Sequence, residues 1–192
     1  MKKKEIKILD LGCGKKKHKI PNAEVIGLDK FKLKGVDVIW DLEKLPLPFK
    51  KNEFDMIIAQ GILEHVSNIW GLLNELHRIL KPNGILRVTV PHFKDIRAYH
   101  LDHKHFFTTR SFNNLLPERE IENYYCKAKF EIKMRINFRK DNSRISWLNH
   151  MINPFVNKFP NFWEQFLSSV ITCQQLIFEL KKIELKEVKQ ND

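Results

Sequence analysis

The sequence predicts an α/β fold: a mostly parallel sheet with helices on both faces and an antiparallel strand pair at the C-terminal end. Three observations predict it. Short apolar runs recur through the first half of the chain, each closing on a polar residue, a glycine or a proline. One apolar stripe at helical spacing lies between two of these runs, which makes a strand–helix–strand unit and therefore a parallel pair. Two period-two segments follow late in the chain, long enough to pair with each other.

Ile6-Lys7-Ile8-Leu9-Asp10-Leu11 alternates and then turns apolar, a buried strand ending at Gly12. Residues 24–28, 36–40, 54–59 and 85–90 read as four more strands, ending at Asp29, Asp41, Gln60-Gly61 and Pro91. Asn68 is a good N-cap for a helix whose stripe is Ile69, Leu72, Leu73, Leu76, Ile79 and Leu80, with Lys81-Pro82-Asn83-Gly84 as its stop. The stretch from Gly14 to Glu24 is too short for an ordinary crossover helix, so a stubby helix or an extended loop is expected. Residues 92–107 show no clean period and read as a lid loop, followed by a short helix from Thr108 or Thr109. Residues 128–138 and 174–185 are the antiparallel pair. Between them, 141–172 is a broken, aromatic helical insert, with Asn153-Pro154 as a cap and Asn161 to Glu164 as a capping box in outline. Its aromatics either pack on the core or face a substrate or lipid.

The 192 residues are expected to form a single domain, 1–192. With 43% hydrophobic and 30% charged residues the chain has the composition of a globular protein, not of a disordered one. No apolar run is long enough to span a bilayer, and the basic start with its short apolar run is not a signal peptide. The three cysteines, Cys13, Cys126 and Cys173, form no CxxC pair, which points to a reducing, cytoplasmic setting without a disulfide framework. The net charge of +11 is spread along the chain, not gathered in an arm. Nucleic acid is therefore a possible partner but not the favoured one.

In an open parallel sheet, ligands bind outside the carboxyl ends of the strands. Asp10, the turn Gly12-Cys13-Gly14, Asp29, Asp41 and Gln60-Gly61 should line one crevice there. Asp29 is placed to accept both ribose hydroxyls of a nucleoside. A dinucleotide fingerprint would put a third small residue at position 17, where this chain has Lys17. That disfavours a nicotinamide oxidoreductase.

The blocks ILDLGCG, VIGLDK, VIWDLEKLPLPFKKNEFDMIIAQGILEHV and LHRILKPNGILRVTVPHF, in this order, resemble a class I S-adenosylmethionine-dependent methyltransferase of the small type-11 kind. The resemblance implies a Rossmann-like, seven-stranded sheet. It implies S-adenosyl-L-methionine as cofactor. Asp10 would hold the methionine ammonium, and Gly12, Cys13 and Gly14 would let backbone approach the methionine and ribose. Asp29 would take the ribose hydroxyls, Asp41 and Leu42 the adenine, and Gln60 and Gly61 the methionine side. This cofactor has no pyrophosphate, so a docked helix N-terminus behind the turn is not required.

Methyl transfer from a sulfonium is an in-line displacement, in which the protein aligns the acceptor and, where needed, removes its proton. His92, expected at the mouth of the crevice, and His65, His103 and His105 are candidate bases. The spacing of His100, Asp102, His103 and His105 matches no standard zinc pattern, and no metal is expected. The expected reaction is methylation of an O or N atom of a small-molecule acceptor, a glycan or lipid intermediate for example. An RNA methyltransferase and a non-catalytic partner subunit of the same fold are the alternatives. With few residues ahead of the first strand, no N-terminal cap is expected. The acceptor pocket then falls to 92–107 and the aromatic insert, or to a homodimer mate or partner subunit.

Overall fold

The computed structural model describes residues 6–119, 125–138, 146–170 and 173–184, with backbone alone at 146–151. The strands are β1 (Ile6–Leu11), β2 (Ala23–Asp29), β3 (Val38–Ile39), β4 (Phe54–Gln60), β5 (Leu80–Pro91), β6 (Phe130–Asn137) and β7 (Gln175–Lys182). They form one seven-stranded sheet in the order β3-β2-β1-β4-β5-β7-β6. The first five are parallel, and β7 runs antiparallel to both β5 and β6. The expected fold class is the one observed.

The consecutive burial of Ile8, Leu9, Asp10 and Leu11 marks β1 as a strand covered on both faces. Register places the functional ends side by side. Leu11 pairs with Leu28 on one side and with Ala59 on the other. Gly12, Asp29 and Gln60-Gly61 therefore emerge along one edge of the sheet.

Helix α1 (Ile69–Ile79) forms as its stripe dictates, burying Leu72, Leu73, Leu76 and Ile79. The Asn68 side chain accepts from the Gly71 N–H at 2.9 Å, satisfying an amide that the helix itself leaves unpaired. Asn68→Ala is expected to cost about 1 kcal/mol. A shifted midpoint with an unchanged slope in urea unfolding would show it.

Several local expectations are corrected. The stop signal Lys81–Gly84 lies inside β5, which starts at Leu80. Phe54 pairs with Leu80 and Met56 with Ile85, so the stretch between is a bulge turned at Asn83, φ +62°. β3 is only Val38–Ile39; beside it the Asp37 carboxylate takes the Gly27 N–H, while Asp37 N–H still donates to Gly27 O. The connection from Gly12 to Asn22 is an extended loop. No helix starts at Thr108 or Thr109. The Thr108 N–H donates to Ser111 Oγ, and the first helical turn is a 3-10 turn at Asn113–Leu115.

Segment 92–107 holds one 3-10 turn, Ile96–Tyr99, and its ends meet where His92 bridges Phe107. In the insert, Asn153-Pro154 does not begin a helix. Helix α2 (Ser146–Lys158) runs through Pro154. Asn157 holds that helix to the sheet edge, accepting from Ile136 N–H at 2.7 Å and donating to Ile136 O at 3.1 Å. Nor do Asn161–Glu164 form a capping box. A single turn at Pro160–Phe162 runs into a π-helix at Trp163–Leu167, and the Glu164 side chain turns away to other partners. Residues 141–145 and 171–172 of the expected insert lie outside the described residues. Of its aromatics, Trp163 is fully buried, while Phe155, Phe159, Phe162 and Phe166 are exposed. Among the described residues, no helix is long and apolar enough to cross a membrane.

Candidate active site

A cleft of about 560 Å³ opens at the carboxyl ends of β1, β2 and β4. That volume suits a bound cofactor-sized ligand. Gly12, Asp29, Asp41, Leu42, Gly61 and His65 from the expected set line it. Gly12 has φ +65°, and a Cβ there would stand 2.6 Å from Ile62 Cδ1. Only glycine satisfies both the turn and the packing.

Asp29 is held before any ligand arrives. Its Oδ2 accepts from Gly14 N–H at 2.9 Å and its Oδ1 from Phe31 N–H at 3.0 Å. Both oxygens keep lone pairs for a diol. Gly27, behind it, has no room for a side chain: a Cβ would lie 2.8 Å from Cys13 Sγ and from Gly35 O. The remaining wall is largely apolar, with Phe31, Leu33, Trp40, Ile62 and Val66, and Lys30, Glu43, Asp102 and Lys104 add charge to it. Sequence reasoning missed the apolar residues, although Trp40 and Phe31 directly flank the strand-end carboxylates it found.

Other expected residues stand elsewhere. Asp10 is buried and does not line the cleft; its Oδ2 accepts from His18 N–H at 2.7 Å and lies 2.9 Å from His18 Nδ1. Cys13, Gly14 and the exposed Gln60 do not line the cleft either. Burial, with the carboxylates of Asp10 and Asp29 nearby, pushes the Cys13 thiol up to about 11. It is a neutral filler at physiological pH.

The four histidines separate. His92, expected at the mouth, is fully buried; its Nε2 meets Glu164 Oε1 at 3.1 Å and its ring packs on Trp163. The residue after Pro91 points into the layer beneath the π-helix, away from the cleft. His105 Nε2–H donates to Val66 O at 2.8 Å, which uses it as a brace. His103 Nδ1–H donates to Ala98 O at 3.1 Å, and its ring lies edge-on to His65 at 4.7 Å between centroids. His65 is the histidine on the cleft wall, with Nδ1 3.2 Å from Asp102 Oδ2.

Loop 100–105 is pinned over this wall. Lys104 N–H and His105 N–H both donate to Glu64 O, and Lys104 Nζ reaches Glu43 Oε1 at 3.1 Å and Ser67 Oγ at 2.6 Å. Glu43 Oε1 also accepts from Ser67 N–H at 2.8 Å. That backbone hydrogen bond, aided by Lys104, lowers the Glu43 carboxyl from 4.5 to about 2. A depressed carboxyl contributes stability that is complete above its unfolded pKa and is lost as pH falls through the folded one. Glu43→Gln is therefore expected to flatten the acid limb of the stability profile between about pH 4.5 and about pH 2, lowering stability above that window, by an amount that solvent screening reduces, and leaving it little changed at its acid end.

A strand-end carboxylate with lone pairs to spare, a largely apolar face beside it and no helix behind the glycine turn have the chemistry to suit a nucleoside and lack a phosphate cradle. Comparison with known proteins agrees with that class. Residues 9–88 match the model of the methyltransferase domain family. An uncharacterized protein of Methanocaldococcus jannaschii is 35% identical over 116 residues, covering 51% of this chain and 50% of its own. A ubiquinone biosynthesis O-methyltransferase of Pelagibacter ubique is 32% identical over 112 residues, covering 50% and 46%. Among solved structures, an S-adenosylmethionine-dependent methyltransferase of Archaeoglobus fulgidus superposes with a TM-score of 0.57 at 15% identity, covering 93% of this chain and 86% of that one. Residues 9–88 are thus similar to the methyltransferase domain family, and the chain shares the fold of the solved S-adenosylmethionine-dependent methyltransferase. It spans about half the length of the curated relatives it matches.

Proposed function

We propose that this chain transfers a methyl group from S-adenosylmethionine to an oxygen of a small, largely apolar acceptor. The observation that carries the reading is Asp29, fixed by two backbone amides and lining a largely apolar cleft beside Trp40 and Leu42. Asp29 would hold the ribose diol, Trp40 and Leu42 the adenine, and the turn at Gly12 the methionine end. The cofactor supplies the electrophilic methyl. The chain's task is to hold the acceptor oxygen in line and keep water out.

His65 is the polar group best placed for the acceptor. Asp102 takes its Nδ1–H, so Nε2 carries the free lone pair. Ile62 and Val66 flank it and favour an apolar body on the acceptor. No described residue of the aromatic insert lines the cleft, which shifts the expected acceptor wall to residues 61–66 and 100–105.

The test is a titration with S-adenosylmethionine and S-adenosylhomocysteine, followed by transfer assays with methyl-labelled cofactor on phenols, quinols and RNA. Cofactor binding with label in a phenolic product supports the proposal. Label in RNA alone would replace the acceptor class. Failure of a folded chain to bind either ligand would overturn the enzymatic reading.

A further inference from the structure

Beside the cleft lies a cluster that cofactor binding does not use. Glu64 sits in a 3-10 turn, Leu63–His65, and is 3% exposed. Its Oε2 is buried with no hydrogen-bond partner, the one such side-chain atom among the described residues. An ionised oxygen in that position is costly unless a proton or a cation meets it. One carboxylate oxygen of Glu64 and one ring nitrogen each from His65 and His103 lie within 4.8 Å of one another.

The hydrogen bonds around the cluster fix which nitrogens are free. His103 Nδ1–H donates to Ala98 O, and His65 Nδ1 faces both the carbonyl and the carboxylate of Asp102, at 3.3 and 3.2 Å. Each imidazole thus presents Nε2 as a lone pair, oriented from behind by an oxygen. That is how histidine ligands of metals are held. Glu64 and Asp102 bring two negative charges to balance a dication. Lys104, the nearest lysine in sequence, is engaged by Glu43 and Ser67.

We propose that Glu64, His65 and His103 form a binding site for a first-row divalent transition-metal ion on the wall of the cleft. Ligand bonds of about 2.1 Å at tetrahedral angles separate donor atoms by about 3.4 Å, so donors that now lie within 4.8 Å of one another would draw together on an ion. One carboxylate with two imidazoles is a donor set for zinc, cobalt, manganese or iron, less so for magnesium, which prefers oxygen alone. Three protein ligands would leave a fourth position open, and His65 is the member of the trio that lines the cleft. The ion would then take the His65 lone pair and lower the pKa of an acceptor hydroxyl bound there. That use rests on the proposed transfer, whereas ion binding does not.

Binding of the ion alone is the test. Protein stripped with chelator is titrated with Co2+, read by visible absorption, and with Zn2+ in competition. One ion per chain is expected. Glu64→Gln and His103→Ala should each weaken it at least about tenfold, while His100→Ala, outside the trio, should leave it within a few-fold. Melting curves confirm that the variants are folded, and either variant alone suffices if the other is not. Two results would overturn the site: no saturable binding, meaning that the cluster shares a proton instead, or binding that survives Glu64→Gln and fails with His100→Ala, meaning surface histidines. Cofactor titration in the same samples separates loss of the ion from failure of the methyltransferase reading.

Discussion

Asp29→Ala is expected to weaken S-adenosylmethionine and S-adenosylhomocysteine binding at least about a hundredfold while leaving the fold intact. A charge-assisted hydrogen bond contributes roughly 1.5–3 kcal/mol, and a diol forms two to one carboxylate. The variant also frees Gly14 N–H and Phe31 N–H, which now hold Asp29 in place. Gly14 is partly exposed and Phe31 exposed, so these amides can turn to water and the cost falls on binding more than on folding. Calorimetric titration with a matched melting curve checks both halves. Asp29→Asn, which keeps the shape but loses the charge, should fall between alanine and wild type. Equal affinity in all three would remove Asp29 from the cofactor site.

The second large effect concerns stability. Glu164→Ala is expected to cost about 3 kcal/mol, because it strips partners from several buried groups at once. Glu164 Oε1 meets His92 Nε2 and accepts from Thr109 N–H at 2.7 Å, and its Oε2 accepts from Thr109 Oγ1 at 2.6 Å. His92 is fully buried, and Thr109 nearly so, so neither can recover a bond from solvent. Denaturant unfolding would register the loss. Cofactor affinity, measured where the variant is folded, should be unchanged, because His92 and Glu164 do not line the cleft. A variant as stable as wild type but deficient in transfer would return His92 to the list of reacting groups.

Much of the frame was legible from periodicity. β1, β2, β4 and α1 stand within a residue or two of where apolar spacing and the Asn68 cap put them. The errors have a common cause. Asn153-Pro154 and Asn161–Glu164 carry good local cap signals, but Asn157 is engaged by Ile136 and Glu164 by His92 and Thr109. Those partners lie far away in the chain, and they outweigh local preferences of about 1 kcal/mol. The site divides in the same way. Asp29, Asp41 and Gly61 were found because strand ends converge in any parallel sheet. Glu64 was not, because an acidic residue beside a histidine reads as a solvated pair until the 3-10 turn is seen to bury it. His92 was misplaced because sequence cannot say on which side of the layer a residue just past a strand will fall.

The loop that stands in place of a first crossover helix bears on which nucleotides compete for the cleft. In a cell, phosphate-bearing adenine nucleotides outnumber most other adenosine compounds. A helix behind the turn would draw them in through its unpaired amides and positive end. Here Gly14 N–H is already donated to Asp29 and Cys13 N–H to Leu28 O, and the nearby strand ends carry the carboxylates of Asp29 and Asp41. The adenosine half of such a competitor would find its slot, but its phosphates would meet negative charge and occupied amides. On the proposed reading of the cleft, discrimination against the abundant nucleotide pool would follow from the way the turn is closed, without a residue devoted to rejecting them.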